Sequence, residues 1–170
     1  MTSSEPAASD QELLAAWQAG DLAAGNTFVE RYFLPVYRFF VTKIPREADD
    51  LTQQTFADLQ KAVGRTVEIS RGRAYVMKIA RNRLYMFLRS RAVENRVFDP
   101  EMMSVSAIDA KPSPSGVLAQ QRDVRLLLGA LRSIPVDAQV VLELYYWEDM
   151  PVRDIADIIG VQPGTVMSRL

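Results

Sequence analysis

Apolar residues recur along most of the chain at three- and four-residue intervals, the spacing that places them on one face of an α-helix. This pattern predicts helices over residues 11–19, 23–44, 47–63 and 73–95 in the first half of the chain. Pro35 lies inside the second of these, and we expect it to bend or split that helix because proline removes one backbone donor. No segment shows the alternation typical of a strand, so the sequence predicts an all-α fold.

The helical pattern dissolves between residues 97 and 117 and then resumes. This interval contains DAKPSPSG, a composition typical of a flexible and partly extended linker. Pro135 is expected to open a later helix that runs to Trp147, because proline suits the first position of a helix. We therefore expect two small helical domains, residues 1–96 and 118–170, joined by a flexible linker over 97–117.

The final segment, PVRDIADIIGVQPGTVMSRL, has the spacing of a helix-turn-helix. Ile155, Ala156 and Ile159 fall on the inner face of its first helix, Gly160 is placed to supply the turn, and Val161 fills the space between the helices. A helix-turn-helix holds its second helix so that the first turns enter the major groove of DNA. The same apolar positions would suit an ordinary helical hairpin, so the motif indicates DNA binding without excluding that alternative.

Charge is strongly segregated in a chain whose net charge is only −1. Residues 1–60 carry nine acidic and four basic side chains, a net of −5, whereas residues 65–96 carry nine basic and two acidic, a net of +7. A basic stripe in a nearly neutral protein indicates contact with a polyanion, although a solvated cationic helix face is the alternative. Cations combined with aromatic side chains suit single-stranded nucleic acid. One face of the fourth predicted helix carries Lys78, Arg81, Asn82, Tyr85 and Arg89.

The third predicted helix is amphipathic. Its spacing puts Leu51, Thr55, Phe56 and Leu59 on one side, and we expect this side to face the core. The opposite side is polar and holds Asp50, Gln53, Gln54 and Asp58.

The chain contains neither cysteine nor histidine. This excludes disulfides, thiolate chemistry, the usual zinc sites and any nucleophile–histidine pair, and no glycine-rich phosphate loop is present. Catalysis by carboxylates or lysine alone stays open, but we predict no catalytic residue, metal site or cofactor and expect that the protein is not an enzyme. No segment approaches the roughly 18 apolar residues of a membrane span, and the N-terminus lacks the features of a secretory signal, so a cytoplasmic protein is expected.

Three segments, in order, resemble the extracytoplasmic-function (ECF) group of RNA polymerase sigma factors. EADDLTQQTFADLQ is similar to the family's acidic helix, and RAYVMKIARNRLYMFLRSR is similar to its basic helix. LRSIPVDAQVVLELYYWEDMPVRDIADIIGVQPGTVMSRL is similar to its C-terminal domain. The resemblance covers almost the whole chain and implies an adaptor that binds core RNA polymerase, carries it to promoter DNA and opens the DNA without chemistry of its own.

The resemblance implies a role for each segment. The acidic helix would dock on the clamp of the beta-prime subunit, the C-terminal domain would meet the beta flap, and an anti-sigma factor would regulate the protein. For the acidic helix, a solvated face stays open as the alternative. The implied polymerase-binding residues are Asp49, Asp50, Gln53, Gln54 and Asp58.

The same resemblance implies two DNA contacts. The basic helix and the loop before it would recognise and melt the minus-ten element, with Asn82 the leading candidate for a hydrogen bond to a base edge. The residues implied here are Arg65, Arg71, Arg73, Tyr75, Lys78, Arg81, Asn82, Tyr85 and Arg89. The helix-turn-helix would read the minus-thirty-five element through Gln162, Gly164, Thr165, Met167, Ser168 and Arg169.

The chain departs from the family's pattern at several of these positions. Tyr75 replaces a tryptophan, Gln54 a glutamate and Met167 a basic residue, while Gln162 replaces a serine that would cap the last helix, which costs about 1 kcal/mol. The family's pattern continues past the position of Leu170 with a basic stretch, so we expect the minus-thirty-five reader to be truncated.

Two other functions are compatible with parts of the sequence. A stand-alone helix-turn-helix regulator would use the same C-terminal motif, but it would need an effector or phosphorylation domain, for which the N-terminal half shows no pattern. A helical interaction module could use the basic helix to bind an acidic protein or RNA. The ordered match of three segments favours the sigma factor over both.

Overall fold

The computed structural model describes residues 8–65, 69, 71–95 and 122–170, and these residues form helices and short connections without a strand. The all-α prediction is confirmed, whereas the predicted linker 97–117 lies outside the described residues. No helix in the described part of the chain has the length and apolar character needed to cross a membrane. The helices are α1 (Asp10–Gln18), α2 (Leu22–Val41), α3 (Ala48–Val63), α4 (Gly72–Asn95), α5 (Arg122–Ser133), α6 (Val136–Tyr146), α7 (Val152–Ile159) and α8 (Pro163–Arg169).

The first helix begins and ends at the residues that local chemistry favours. Ser9 is its N-cap and forms a capping box with Glu12, in which each side chain accepts a hydrogen bond from the other residue's backbone N–H. The hydrogen bonds that the Ser9 backbone N–H and the Ser9 hydroxyl donate to the Glu12 carboxylate stabilise its charged form and lower the pKa of Glu12. Gly20 follows the helix with a φ of 100°, a conformation in which glycine is unstrained.

Helix α2 runs without interruption through Pro35, so the predicted split does not occur. Buried residues lie on both sides of the proline, with Phe28 before it and Val36 and Phe40 after it. Packing of this continuous apolar face offsets the single backbone hydrogen bond that Pro35 cannot make. The helix ends at Val41, three residues before the predicted end, although Ile44 beyond it is buried as well.

The core of the N-terminal domain lies between α2, α3 and α4, with α1 packed against α2. The side of α4 away from Lys78 and Asn82 faces this core, where Met77 is buried and Phe87 is partly covered. Fully buried members of this core are Phe28, Phe40, Leu59, Val76, Ala80, Leu84 and Leu88.

The C-terminal domain contains the predicted helix-turn-helix, formed by α7 and α8. Gly160 joins the two helices in the left-handed conformation, with a φ of 74°. Ile155, Ala156 and Ile159 are buried as predicted. Ile158 is buried too, because α7 packs against α4 of the N-terminal domain on its other side.

The two domains are in direct contact, an arrangement that the pattern of apolar residues does not predict. α4 meets α7, and the C-terminal end of α2 meets α6. Arg132 at the end of α5 donates a hydrogen bond of 2.7 Å to the backbone carbonyl of Thr42. The surface of α4 that is predicted to bind DNA therefore lies partly at a domain interface.

Candidate nucleic-acid interface

The predicted DNA-binding face of α4 is divided into an open and a covered part. Lys78 and Asn82 are exposed, and neither forms a hydrogen bond or ion pair with another described residue. Tyr85 is buried, and its hydroxyl donates a hydrogen bond to Asp137 of the C-terminal domain. These residues lie on one helix, and in this arrangement Lys78 and Asn82 are open to a ligand whereas Tyr85 is covered.

Arg81 lies at the boundary between the open and the covered part. Its guanidinium carbon is 4.0 Å from the centre of the Tyr85 ring, a cation–π contact. Burial lowers the pKa of Arg81, while Asp137 opposes this shift. Its Nε is buried and has no hydrogen-bond partner among the described residues. Arg81 is thus a partly desolvated cation with unused donor capacity beside an aromatic ring.

The two arginines where the loop meets α4 bind acidic side chains of the C-terminal domain. Arg71 forms an ion pair with Asp154 and a second one, at 3.2 Å, with Asp157. The hydrogen bond from Arg71 to Asp154 raises the pKa of Arg71. Arg73 donates hydrogen bonds to the backbone carbonyl of Glu148 and, at 3.0 Å, to its carboxylate.

A cleft of about 300 Å³ lies between the start of α4 and α7. Arg71, Tyr75 and Lys78 line one side, and Asp157 and Ile158 line the other. Tyr75 is half-buried and keeps the aromatic surface that a tryptophan would supply at this position. Cations beside an accessible ring face are what stacking of an unpaired base requires, and the half-buried Tyr75 ring lines the cleft beside Arg71 and Lys78.

The other two residues predicted to bind the minus-ten element, Arg65 and Arg89, do not line this cleft. Arg65 is exposed just after the end of α3, and Arg89 is exposed near the C-terminal end of α4. The loop residues 66–68 and 70, between Arg65 and α4, lie outside the described part of the chain.

The polar face of α3 is also divided. Asp49, Asp50 and Gln53 are exposed. Gln54 and Asp58 instead turn towards α4, where the Asp58 carboxylate lies 2.5 Å from Arg83 Nε and the Gln54 carbonyl lies 3.1 Å from Arg83 Nη1. Asp50 accepts a hydrogen bond of 2.8 Å from the Gln54 side-chain amide, so three of the five predicted polymerase-binding residues have a partner inside the domain.

An apolar groove between α2 and α3 was not predicted from the sequence. Phe56, assigned to the core side of α3, is half-buried in this groove, and its ring stacks at 6.2 Å on the exposed ring of Phe33. Phe56 packs against the core as assigned, but α2 covers it only in part, so one side of its ring lines the groove. The available signal was the set of apolar residues on α2 outside its buried stripe, which includes Leu22 and Phe33. The α2–α3 groove has a volume of about 430 Å³ and is lined by Trp17, Leu22, Val29, Phe33, Gln53, Phe56 and Gln60, among others.

The residues predicted to read duplex DNA lie on and just before α8. Gln162, Gly164, Met167 and Ser168 are exposed, and Thr165 is half-buried. The Gln162 side chain makes no capping hydrogen bond, so the expected loss of a helix cap is confirmed. Arg169 lies 3.5 Å from the carboxylate of Asp137.

Comparison with known proteins assigns both halves of the chain to one family. The family model "Sigma-70 region 2" matches residues 28–93, and the model "Sigma-70, region 4" matches residues 125–170. The ECF RNA polymerase sigma factor BldN of Streptomyces coelicolor is 25% identical over 91% of this chain. The ECF RNA polymerase sigma-E factor of Haemophilus influenzae is 27% identical over 95% of this chain and 89% of its own length.

The relatives differ in length from this chain. This chain spans 59% of the length of BldN. It also matches the probable RNA polymerase sigma factor RfaY of Xanthomonas campestris, with 24% identity over 76% of this chain and 33% of RfaY. The similarity to BldN and the similarity to sigma-E both extend over the two domains described above.

Solved structures agree on the fold. CnrH, in complex with the cytosolic domain of CnrY, superposes with a TM-score of 0.65 at 18% identity, over 95% of this chain and 89% of CnrH. RpoE of Bartonella quintana, in complex with the anti-sigma factor NepR, also superposes with a TM-score of 0.65. Its identity to this chain is 22%, over 85% of this chain and 88% of RpoE. With the two family models in the family's order, the paired helical domains and the C-terminal helix-turn-helix, this chain belongs to the ECF group of the sigma-70 family.

Proposed function

We propose that this chain binds core RNA polymerase and directs it to promoters, where it recognises and opens the DNA at the start of transcription. The observation that supports this most strongly is the pairing of sigma-70 regions 2 and 4 in one chain, with a cationic and aromatic helix face in the first. The lack of cysteine and histidine throughout the sequence is consistent with a role that involves no catalysis by the chain itself.

The polymerase contact is proposed to combine the exposed part of α3 with the α2–α3 groove. Asp50 and Gln53 are open to solvent, and Gln53 also lines the groove next to Phe33 and Phe56. A partner that presents basic residues beside an apolar side chain would satisfy both features at once. We assign this partner to the clamp of the beta-prime subunit, as the family resemblance implies.

The DNA contacts are proposed to lie on α4 and α8. Residues 1–96 would carry the minus-ten contact, residues 118–170 the minus-thirty-five contact, and residues 97–117 would connect them. Lys78 and Asn82 are open on α4, Arg81 has a donor without a partner, and Tyr75 offers a ring for stacking.

The proposed setting follows from the family. RNA polymerase acts in the cytoplasm, so we place the protein there. RpoE of Bartonella quintana, which is similar in structure, forms a complex with the anti-sigma factor NepR, and we propose that an anti-sigma factor also regulates this chain.

Transcription reconstituted with purified core polymerase tests these roles separately. Arg81→Ala and Asn82→Ala should impair promoter opening while polymerase binding stays normal, because both side chains lie on α4, away from the groove. Asp50→Arg should instead weaken polymerase binding, while promoter opening by the polymerase complex that does form stays normal. Arg153→Ala removes an exposed arginine on α7 without a described partner and serves as the matched control. If both classes of variant transcribe like the control, the assignment of roles is wrong.

The same preparation distinguishes the rival functions. A stand-alone regulator would shift duplex operator DNA without polymerase. The sigma factor proposed here would do so weakly, because its net charge of −1 gives little overall attraction to the phosphate backbone.

A further inference from the structure

The C-terminal domain presents an acidic surface to the part of the N-terminal domain that carries the basic stripe. Residues 136–159, which span α6 and α7, hold six acidic side chains and one basic, a net of −5. Residues 65–96 on the other side hold nine basic and two acidic side chains, a net of +7. Carboxylates repel phosphate groups, so this negative charge would not help the domain to bind DNA. The acidic surface therefore needs a different explanation.

The acidic side chains contact the residues that are proposed to bind DNA. Of the minus-ten set, Tyr85 binds Asp137, Arg73 binds Glu148, and Arg71 binds both Asp154 and Asp157. Carboxylate oxygens form the same charge-assisted hydrogen bonds with a guanidinium as phosphate oxygens do. Each of these contacts therefore has to break before the same group can bind a DNA strand.

A buried ion pair holds the two domains together at the other end of the interface. Lys43, just after α2, is completely buried and forms a salt bridge with Glu143 of α6. Its ammonium also donates a hydrogen bond of 2.8 Å to the Phe39 carbonyl, and Gln139 donates one of 2.9 Å to the second carboxylate oxygen of Glu143. Both charges are thus well satisfied, but only while the domains are in contact.

Burial makes this pair sensitive to the loss of either partner. Desolvation lowers the pKa of Lys43, and the neighbouring Glu143 opposes that shift. If one charge is removed, the other stays buried without compensation, which is strongly destabilising. Opening the interface would hydrate the remaining charge, so a single substitution should favour separated domains.

We infer that the C-terminal domain acts as an internal competitor of promoter DNA, with its carboxylates on the minus-ten residues and the Lys43–Glu143 pair as the latch that keeps the domains closed. This inference rests on the proposed function only for the identity of the ligand. It means that the free protein masks Arg71, Arg73 and Tyr85 of its own minus-ten set and that the domains separate before a single strand binds these residues.

The position of the domains can be measured without DNA or polymerase. The sequence contains no cysteine, so Glu30→Cys on α2 and Arg153→Cys on α7 provide two unique, exposed sites for spin labels. In this labelled background, Glu143→Gln should lengthen and broaden the distance distribution. The double variant Lys43→Met with Glu143→Gln leaves no unpaired charge and keeps an acceptor for Gln139, so it should retain the wild-type distance.

Binding of a labelled single-stranded oligodeoxynucleotide of mixed sequence, without polymerase, tests the masking. Glu143→Gln should bind about tenfold more tightly than wild type, since it frees cations on α4 that now pair with carboxylates. The double variant should bind like wild type. An unchanged distance in Glu143→Gln overturns the latch, and a longer distance without tighter binding overturns the masking.

If Glu143→Gln loses helical content by circular dichroism, a surface variant tests the competition instead. Asp154→Asn removes a carboxylate that binds Arg71 and should strengthen oligonucleotide binding about threefold. Asp149→Asn removes the same charge from an exposed turn of the same domain, with a φ of 47° that asparagine tolerates, and should have little effect.

Equal effects of the two surface variants would mean that only net charge matters, and would overturn the competition. The distance measurement involves no polymerase, so a wild-type chain that fails to transcribe with core enzyme refutes the proposed function, while the latch is judged from the distances alone.

Discussion

Removal of the Asp58 carboxylate should weaken the packing of α4 on α3 and leave polymerase affinity unchanged. The carboxylate lies 2.5 Å from Arg83 Nε and forms a second contact with the Nη2 group of the same guanidinium. Arg83 also donates a hydrogen bond to the Gln54 carbonyl oxygen at 3.1 Å. Asp58 therefore joins two helices of the core, although its position on the polar side of α3 suggested a partner outside the protein.

The expected magnitude follows from geometry and exposure. A bidentate contact between charged groups contributes more than a single surface ion pair, for which about 0.2–1 kcal/mol is usual. The two side chains are 25% and 28% exposed, so solvent screens the pair partly. We expect Asp58→Ala to lower the free energy of unfolding by about 1–2 kcal/mol, with a coupling energy to Arg83→Ala of about 1 kcal/mol.

Urea unfolding of the two single variants and the double variant gives the coupling energy, and binding to labelled core polymerase gives the affinity. Gln53→Ala is the matched control, because it alters an exposed side chain on the same helix that lines the α2–α3 groove. It should weaken polymerase binding with little change in stability. The reasoning is refuted if Asp58→Ala reduces polymerase affinity as much as Gln53→Ala does and unfolds at the wild-type urea concentration.

Four further substitutions test local features of the fold by urea or thermal unfolding. Gly72→Ala places a Cβ atom 2.8 Å from the Phe28 ring and should lower the free energy of unfolding by about 1–3 kcal/mol. In Gly129→Ala the new Cβ atom meets nothing within 4 Å on an exposed helix, and the substitution should stabilise α5 by up to about 1 kcal/mol. Equal effects would contradict the tight approach at Gly72. Gly160→Ala should cost about 1–2 kcal/mol because of the left-handed φ of 74°, and a neutral result would mean that the turn relaxes. Gln162→Ser should add about 1 kcal/mol by supplying the missing cap of α8, and no gain would show that the backbone N–H groups there are satisfied by water.

Most helices could be predicted because their apolar spacing and their caps are local properties. The helix predicted over residues 11–19 corresponds to α1, and the glycine and valine after α7 indicated the turn before α8. Of the bend or split predicted at Pro35, the split does not occur, since the cost of the proline is local whereas the packing of the apolar residues on both sides of it is a property of the folded domain. The fold class and the family were confirmed; the domain boundaries and the roles of individual residues stay predictions.

The contact between the domains could not be predicted from the pattern. Lys43 looks like an ordinary charged residue near the end of a helix, and its partner Glu143 is 100 residues away in the sequence. The same holds for Tyr85, whose spacing on α4 is equally compatible with an open face and with a face covered by Asp137. Pairing between distant charges leaves no periodic signal, so only the folded arrangement identifies the partners.

Helix α2 connects two surfaces that are otherwise separate. It carries Phe33 of the groove and, five residues or about 7.5 Å further along its axis, Arg38, which pairs with Glu148 across the domain boundary at 2.9 Å. Binding of a partner in the groove and separation of the two domains thus both involve the same rigid helix, α2. Linkage is reciprocal: if polymerase prefers the separated form by some factor, a variant that releases the domains must gain affinity for polymerase up to that same factor. Polymerase affinity across the latch variants therefore measures how far the resting equilibrium lies towards the closed form.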